Sequence, residues 1–105
     1  MSYIVLDLEW NQAMSSNASV FNRLPIHLSG EIIQIGAVKL DDDFCPAEEF
    51  QSDVRPVYFR SMHYKVKKLT GIDKERLSRS DMFPTVFERF REWCGEDPVF
   101  VTWGY

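Results

Sequence analysis

Cysteine is scarce: Cys45 and Cys94 are the only two in 105 residues, far apart and outside any C-x-x-C spacing. That excludes a disulfide framework and leaves no sequence signal for a zinc site. Long hydrophobic runs are missing too. No stretch approaches the roughly 20 apolar residues that cross a bilayer, and the N-terminus enters an apolar segment directly, with neither a basic region nor a cleavage site. A soluble, cytoplasmic chain without a membrane partner is expected, no larger than one domain of the usual size of about 100 to 150 residues. Histidine is limited to His27 and His63, and neither has a ligand-like partner in sequence; His63 reads as a surface residue.

Net positive charge is also lacking, since 12 Lys and Arg face 16 Asp and Glu for a net charge of −4. The distribution says more than the sum. Arg55 to Arg79 holds eight of the twelve cations (Arg55, Arg60, Lys65, Lys67, Lys68, Lys74, Arg76, Arg79) against Asp73 and Glu75, so this segment carries +6 and the remainder −10. It is either a surface for a polyanion or a solvated helix and loop, and charge alone does not choose.

What the sequence does have is Ser2 to Trp10, an apolar run of strand composition that carries two carboxylates, Asp7 and Glu9. Side chains alternate across a strand, so Tyr3, Val5, Asp7 and Glu9 share one face and Ile4, Leu6 and Leu8 the other. Successive positions on one face lie about 6.6 Å apart, close enough for both acids to serve one metal ion or a pair about 3.5 to 4 Å apart. Asn11 to Gly30 is polar and rich in Asn and Ser, and reads as a long loop: either a lid beside the acids or an insertion between strands. Glu31 to Leu40 reads as a second strand closed by the turn Asp41-Asp42-Asp43, a solvated hairpin tip in preference to a metal cluster. Phe50 to Val54 gives a short third strand stopped by Pro56, as on a sheet edge.

Beyond this antiparallel meander the chain turns helical. Tyr64 to Leu69 leads into a turn at Gly71, and Asp73 opens a short helix through Leu77. From Asp81, the residues Phe83, Val86, Phe87, Phe90, Trp93 and Cys94 recur at helical spacing, with Pro84 in the first turn and Gly95 at the C-terminal cap. This aromatic stripe reads as core. Val99 to Tyr105 is a strand by composition, and the preceding helix is a crossover long enough to return it parallel to the first strand.

Val-Leu-Asp-Leu-Glu-Trp at 5–10, Glu-Ile-Ile-Gln-Ile-Gly-Ala-Val at 31–38, Leu-Thr-Gly-Ile at 69–72, the helix bearing Phe83, Phe87, Phe90 and Trp93, and Val-Thr-Trp-Gly at 101–104 resemble, in order and spacing, the DEDD 3′-5′ exonucleases. The resemblance is greatest to the histidine-containing (DEDDh) branch with its proofreading-like and sporulation-inhibitor-like enzymes. It implies an α/β, ribonuclease H-like fold in truncated form: a three-stranded antiparallel meander, a helix and a parallel fourth strand. It also implies that Asp7 and Glu9 are the first acidic motif and hold two Mg²⁺ or Mn²⁺ ions, which activate water against the 3′-terminal phosphodiester of single-stranded DNA or RNA. Leu8, Trp10 and the turn Leu69-Thr70-Gly71 match positions lining the pocket for the terminal nucleotide, with Trp10 in place of the more usual Thr.

The family's second acidic motif is expected just past Trp103-Gly104, and the third, with the general-base His and final Asp, farther on. Residues 1–105 therefore read as the N-terminal part of a single exonuclease domain, inactive alone and prone to form a homo-oligomer through an exposed strand edge. Two alternatives stand beside this reading: a non-catalytic nucleic-acid-binding or regulatory module of the same fold, and an interaction domain in which Arg or Lys neutralises Asp7 and Glu9.

Overall fold

The computed structural model describes residues 1–12 and 30–103. The elements run β1 (Ser2–Asn11), β2 (Glu31–Leu40), β3 (Pro46–Asp53), α1 (Tyr64–Thr70), α2 (Lys74–Ser78), α3 (Phe83–Cys94) and β4 (Pro98–Thr102). They form one mixed sheet of order β3-β2-β1-β4, in which β1 and β3 are antiparallel to β2 and β4 is parallel to β1. The expected α/β architecture, with the meander and the parallel crossover, is the one observed.

Alternation sorts the side chains. Ile4, Ile35 and Ala37 point to one face and are buried against Val86, Phe90 and Cys94 of α3, with Leu6, Leu8 and Ile32 packed at the margin. The buried residues of α3 recur every four positions, which keeps one stripe of the helix on the sheet. Phe83 and Phe87 lie outside that stripe, so the expectation that all the helix aromatics are core is corrected. They are 41% and 45% exposed and stack on each other at 5.5 Å. Lys39 closes the C-terminal end of α3, donating from Nζ to the Trp93 carbonyl at 2.6 Å.

A second cluster holds the short helices: Ile33, Ile72 and Leu77 are buried, with Met62 and Val66 packed against them. Neighbouring residues of β2 face opposite ways by alternation, and the register shift between Glu9 and Trp10 changes which of them share a side. Ile32 and Ile35, three residues apart, both reach the α3 cluster, while Ile33 goes to the other. Full burial of each such side chain stabilises the fold by about 1.5 to 3 kcal/mol.

Several expectations need correction. β3 starts at Pro46, four residues before Phe50, and its early residues are exposed. The helical stretch from Tyr64 is observed, as Tyr64–Thr70, but His63 is its N-cap: the imidazole Nδ1 accepts from the Lys65 amide at 3.2 Å. His63 is 7% exposed, so it is not a surface residue. Asn11 is not in a loop; it ends β1 fully buried. The expected lid and His27 lie outside the described residues at 13–29, and β4 ends at Thr102, ahead of the undescribed 104–105.

Candidate active site

Asp7 and Glu9 sit on the sheet face opposite α3. Asp7 pairs across the strands with Gly36, and Glu9 with Gln34. Gly36 has no side chain to stand beside Asp7, and it, with Val5, Asp7, Val38, Glu49, Phe50 and Gln51, helps line a shallow depression of about 270 Å³. Gln34 and Gly36 were missed from sequence. Their signal was there: they are the polar and the minimal residue in the otherwise apolar run Ile32 to Val38, two apart and so on one face, which the pairing makes the face of the acids.

The Glu9 carboxyl titrates above the usual carboxylate range, first because burial disfavours its charge and second because Asp7 carries a like charge beside it. Nothing basic relieves this among the described residues, where neither acid takes part in a salt bridge. The cation at the far end of the row is already paired. Gln34 donates to Asp53 at 3.1 Å, and Asp53 is held by Arg76 through Nε at 2.5 Å and Nη2 at 2.9 Å. Glu9, Gln34 and Asp53 thus form a row across three strands that ends in a closed ion pair. The interaction domain with salt-bridged Asp7 and Glu9 finds no support among the described residues. Two hard carboxylates facing one way without a protein cation fit a Mg²⁺-type ion, which takes one or two protein carboxylates and completes its shell with water and phosphate. Among the described residues, no group of three His, Cys, Asp or Glu gathers to hold a metal by itself.

The remaining site residues divide. Trp10 follows the register shift and is 51% exposed, and its ring lies where a side chain at Gly30 would meet it at 3.6 Å. Leu8 lies between the acids in sequence, but its side chain packs on the opposite face against the α3 cluster. The Leu69-Thr70-Gly71 turn ends α1, which contacts β1. Leu69 is 86% exposed, and Thr70 Oγ1 donates to the Val66 carbonyl at 2.8 Å and accepts from the Ile72 amide at 3.1 Å. Gly71 caps the helix at φ 72°, a left-handed conformation that favours glycine.

Two polar anchors fix this turn relative to the acids. Asn11, two residues past Glu9, donates to the carbonyls of Phe59 at 2.7 Å and Ser61 at 3.1 Å and accepts from the His63 amide at 3.0 Å. Glu31 accepts from three successive amides, Val57 at 2.7 Å and Tyr58 and Phe59 at 2.9 Å. The backbone from Val57 to His63 is thereby tied to the ends of β1 and β2, and α1 starts from it.

The comparisons agree with this geometry. The RNase_T family model, described as "Exonuclease", matches residues 4–104. No curated protein matches the chain. Among solved structures, the nuclease domain of 3′hExo, a DEDDh family member bound to rAMP, is similar with a TM-score of 0.77 at 23% identity, over 98% of this chain and 52% of that one. Cell-death related nuclease 4 (CRN-4) gives 0.73 at 24% identity, over 96% and 34%. E. coli exonuclease I in complex with a dT13 oligonucleotide gives 0.66 at 12% identity, over 97% and 20%. The chain thus spans about half or less of the length of these three structures. With the family model covering nearly every residue and the ribonuclease H-like sheet carrying Asp-x-Glu on its open face, the chain belongs to the exonuclease family.

Proposed function

We propose that this chain is the N-terminal part of a metal-dependent 3′-5′ exonuclease domain acting on single-stranded DNA or RNA, with Asp7 and Glu9 as its first two metal ligands. The observation that carries the reading is the pair itself: two same-face carboxylates on a central strand, one of them raised in pKa by burial and by the other, with no basic partner among the described residues. The chemistry that Mg²⁺ or Mn²⁺ ions supply when bound is Lewis-acid stabilisation of the phosphodiester and a water of lowered pKa.

The chain's own residues supply position. Asp7 and Glu9 would hold the ions from one face, and Gly36 leaves room beside Asp7. Trp10 and the Leu69-Thr70-Gly71 turn hold the terminal nucleotide, the turn tied to β1 and β2 through the Val57–His63 backbone that Asn11 and Glu31 anchor, while Leu8 supports the acids from the core side. Similar structures support the substrate class: one is of the 3′-end specific recognition of histone mRNA stem-loop by a 3′-exonuclease.

β4 is an edge strand with Phe100 and Val101 exposed, so the isolated chain is proposed to self-associate there, which light scattering measures. The activity test uses the intact protein carrying this domain and a 5′-labelled single strand. Shortening from the 3′ end that needs Mg²⁺ or Mn²⁺ and is abolished by Asp7→Ala supports the reading; hydrolysis undiminished in that variant refutes it. Strand binding without hydrolysis would assign a non-catalytic nucleic-acid-binding module instead.

A further inference from the structure

The basic segment does not act as one surface. Arg76 pairs with Asp53 and Arg79 with Glu75, which removes two of its eight cations. Three others converge: Arg55, Arg60 and Lys74 line a cleft of about 350 Å³ whose remaining walls are Pro56, Val57, Leu77, Ser78 and Met82. None of the three forms a salt bridge among the described residues. The neighbouring acids are engaged elsewhere: Asp81 with Arg89, Asp73 as the cap of α2, and Glu31 on the Val57–Phe59 amides. The cleft therefore presents three exposed cations over an apolar floor with no internal counter-charge. Such a combination suits a ligand with an anionic backbone and flat apolar faces.

Its place in the sheet says which polyanion. Arg55 lies two residues beyond Asp53, which ends the row that begins at Glu9. Val54 still donates to the Ile33 carbonyl at 2.8 Å, and Arg55 then leaves the ladder to pair with Met82 at the rim of the cleft, so the cleft adjoins the β3 end of that row. We infer that this cleft is a second anchoring site for the nucleic-acid strand, with phosphates upstream of the 3′ end on Arg55, Arg60 and Lys74 and a base or sugar against Val57, Leu77 and Met82. This rests on the nuclease reading of the acids, but it makes a separate physical claim. The polyanion contact lies chiefly in the cleft and not along Lys65, Lys67 and Lys68 of α1.

The test is fluorescence anisotropy with a labelled single-stranded oligonucleotide in EDTA, where hydrolysis cannot contribute. Wild-type affinity is expected to fall with salt, and in R55E/R60E/K74E the log–log slope is expected to be shallower by about 2, at about 0.7 for each phosphate no longer neutralised. Between about 50 and 200 mM salt that is about a 16-fold smaller drop. Lys65→Glu/Lys67→Glu is expected to change the slope less. All five side chains belong to residues on the surface, and thermal melting verifies that the variants fold. An unchanged slope in R55E/R60E/K74E, a larger effect of the α1 variant, no strand binding by wild type, or an acidic peptide occupying the cleft in place of the strand would each overturn the inference. Loss of metal-dependent hydrolysis through Asp7→Ala reports on the acids alone, so the two readings fail separately.

Discussion

Removing Asn11 is the sharpest structural perturbation available, because one buried amide serves three backbone groups about 50 residues away in sequence. Asn11→Ala leaves the Phe59 and Ser61 carbonyls and the His63 amide without their partner. The bonds to Phe59 and His63 are buried and the one to Ser61 is partly buried. An unsatisfied buried group costs about 1 to 3 kcal/mol; counting only the two buried bonds, the loss is about 2 to 6 kcal/mol. That is a large share of the total of about 5 to 15 kcal/mol for a small domain. In thermal unfolding, each kcal/mol shifts Tm by about 4 to 8 °C at this size, so a drop of at least about 8 °C is expected. Asn11→Asp is the discriminating variant. It keeps the acceptor for the His63 amide but sets carboxylate oxygen against two carbonyls, and is expected to destabilise at least as much as Asn11→Ala. A loss under about 1 kcal/mol in Asn11→Ala, below the cost of a single unsatisfied group, or an aspartate variant close to wild type, would refute the anchoring role.

Glu31→Gln leaves a single, uncharged oxygen for the Val57, Tyr58 and Phe59 amides and is expected to cost about 1 to 2 kcal/mol in urea unfolding, since charge-assisted bonds are the stronger ones; less than about 0.5 kcal/mol would argue against that tie. Asp7→Asn removes the like charge but not the burial, so the Glu9 titration followed by NMR is expected to move down towards, without reaching, its ordinary value; no movement would show that the two acids do not interact. A Cβ at Gly36 meets only the Asp7 carbonyl, at an ordinary 3.5 Å, so Gly36→Ala is expected to melt near wild type while weakening Mn²⁺ binding by the chain; unchanged binding would place the ion elsewhere. Gly71→Ala forces a side chain to φ 72° and is expected to cost about 1 kcal/mol or more, read from thermal melts.

Much of the fold was legible because its signals are local. β2 was bounded residue for residue, since its Ile and Val run ends in a three-aspartate turn, and α3 carried its period, an early Pro84 and a closing Gly95. The start of β3 was hidden because Pro46 to Glu49 faces solvent on an edge strand, where apolar alternation is not required. His63 and Asn11 were misread for one reason. Their burial comes from a contact spanning 52 positions, and a polar residue at a strand end looks like loop until its partner is known. That Asp7 and Glu9 share a face was legible from alternation alone. The neutralisation of Arg76 and Arg79 was not, because Asp53 reaches Arg76 only through the packing of α2 against the sheet.

Mn²⁺ titration of the ¹⁵N-labelled chain tests most directly the proposed divalent-metal site of Asp7 and Glu9 on the open sheet face. Paramagnetic broadening is expected first at the amides of Asp7, Leu8, Glu9, Gln34 and Gly36, reversed by EDTA and absent from Asp7→Ala/Glu9→Ala. Broadening that begins instead at the exposed Asp41-Asp42-Asp43 turn, or that persists on β1 in the double variant, would contradict it.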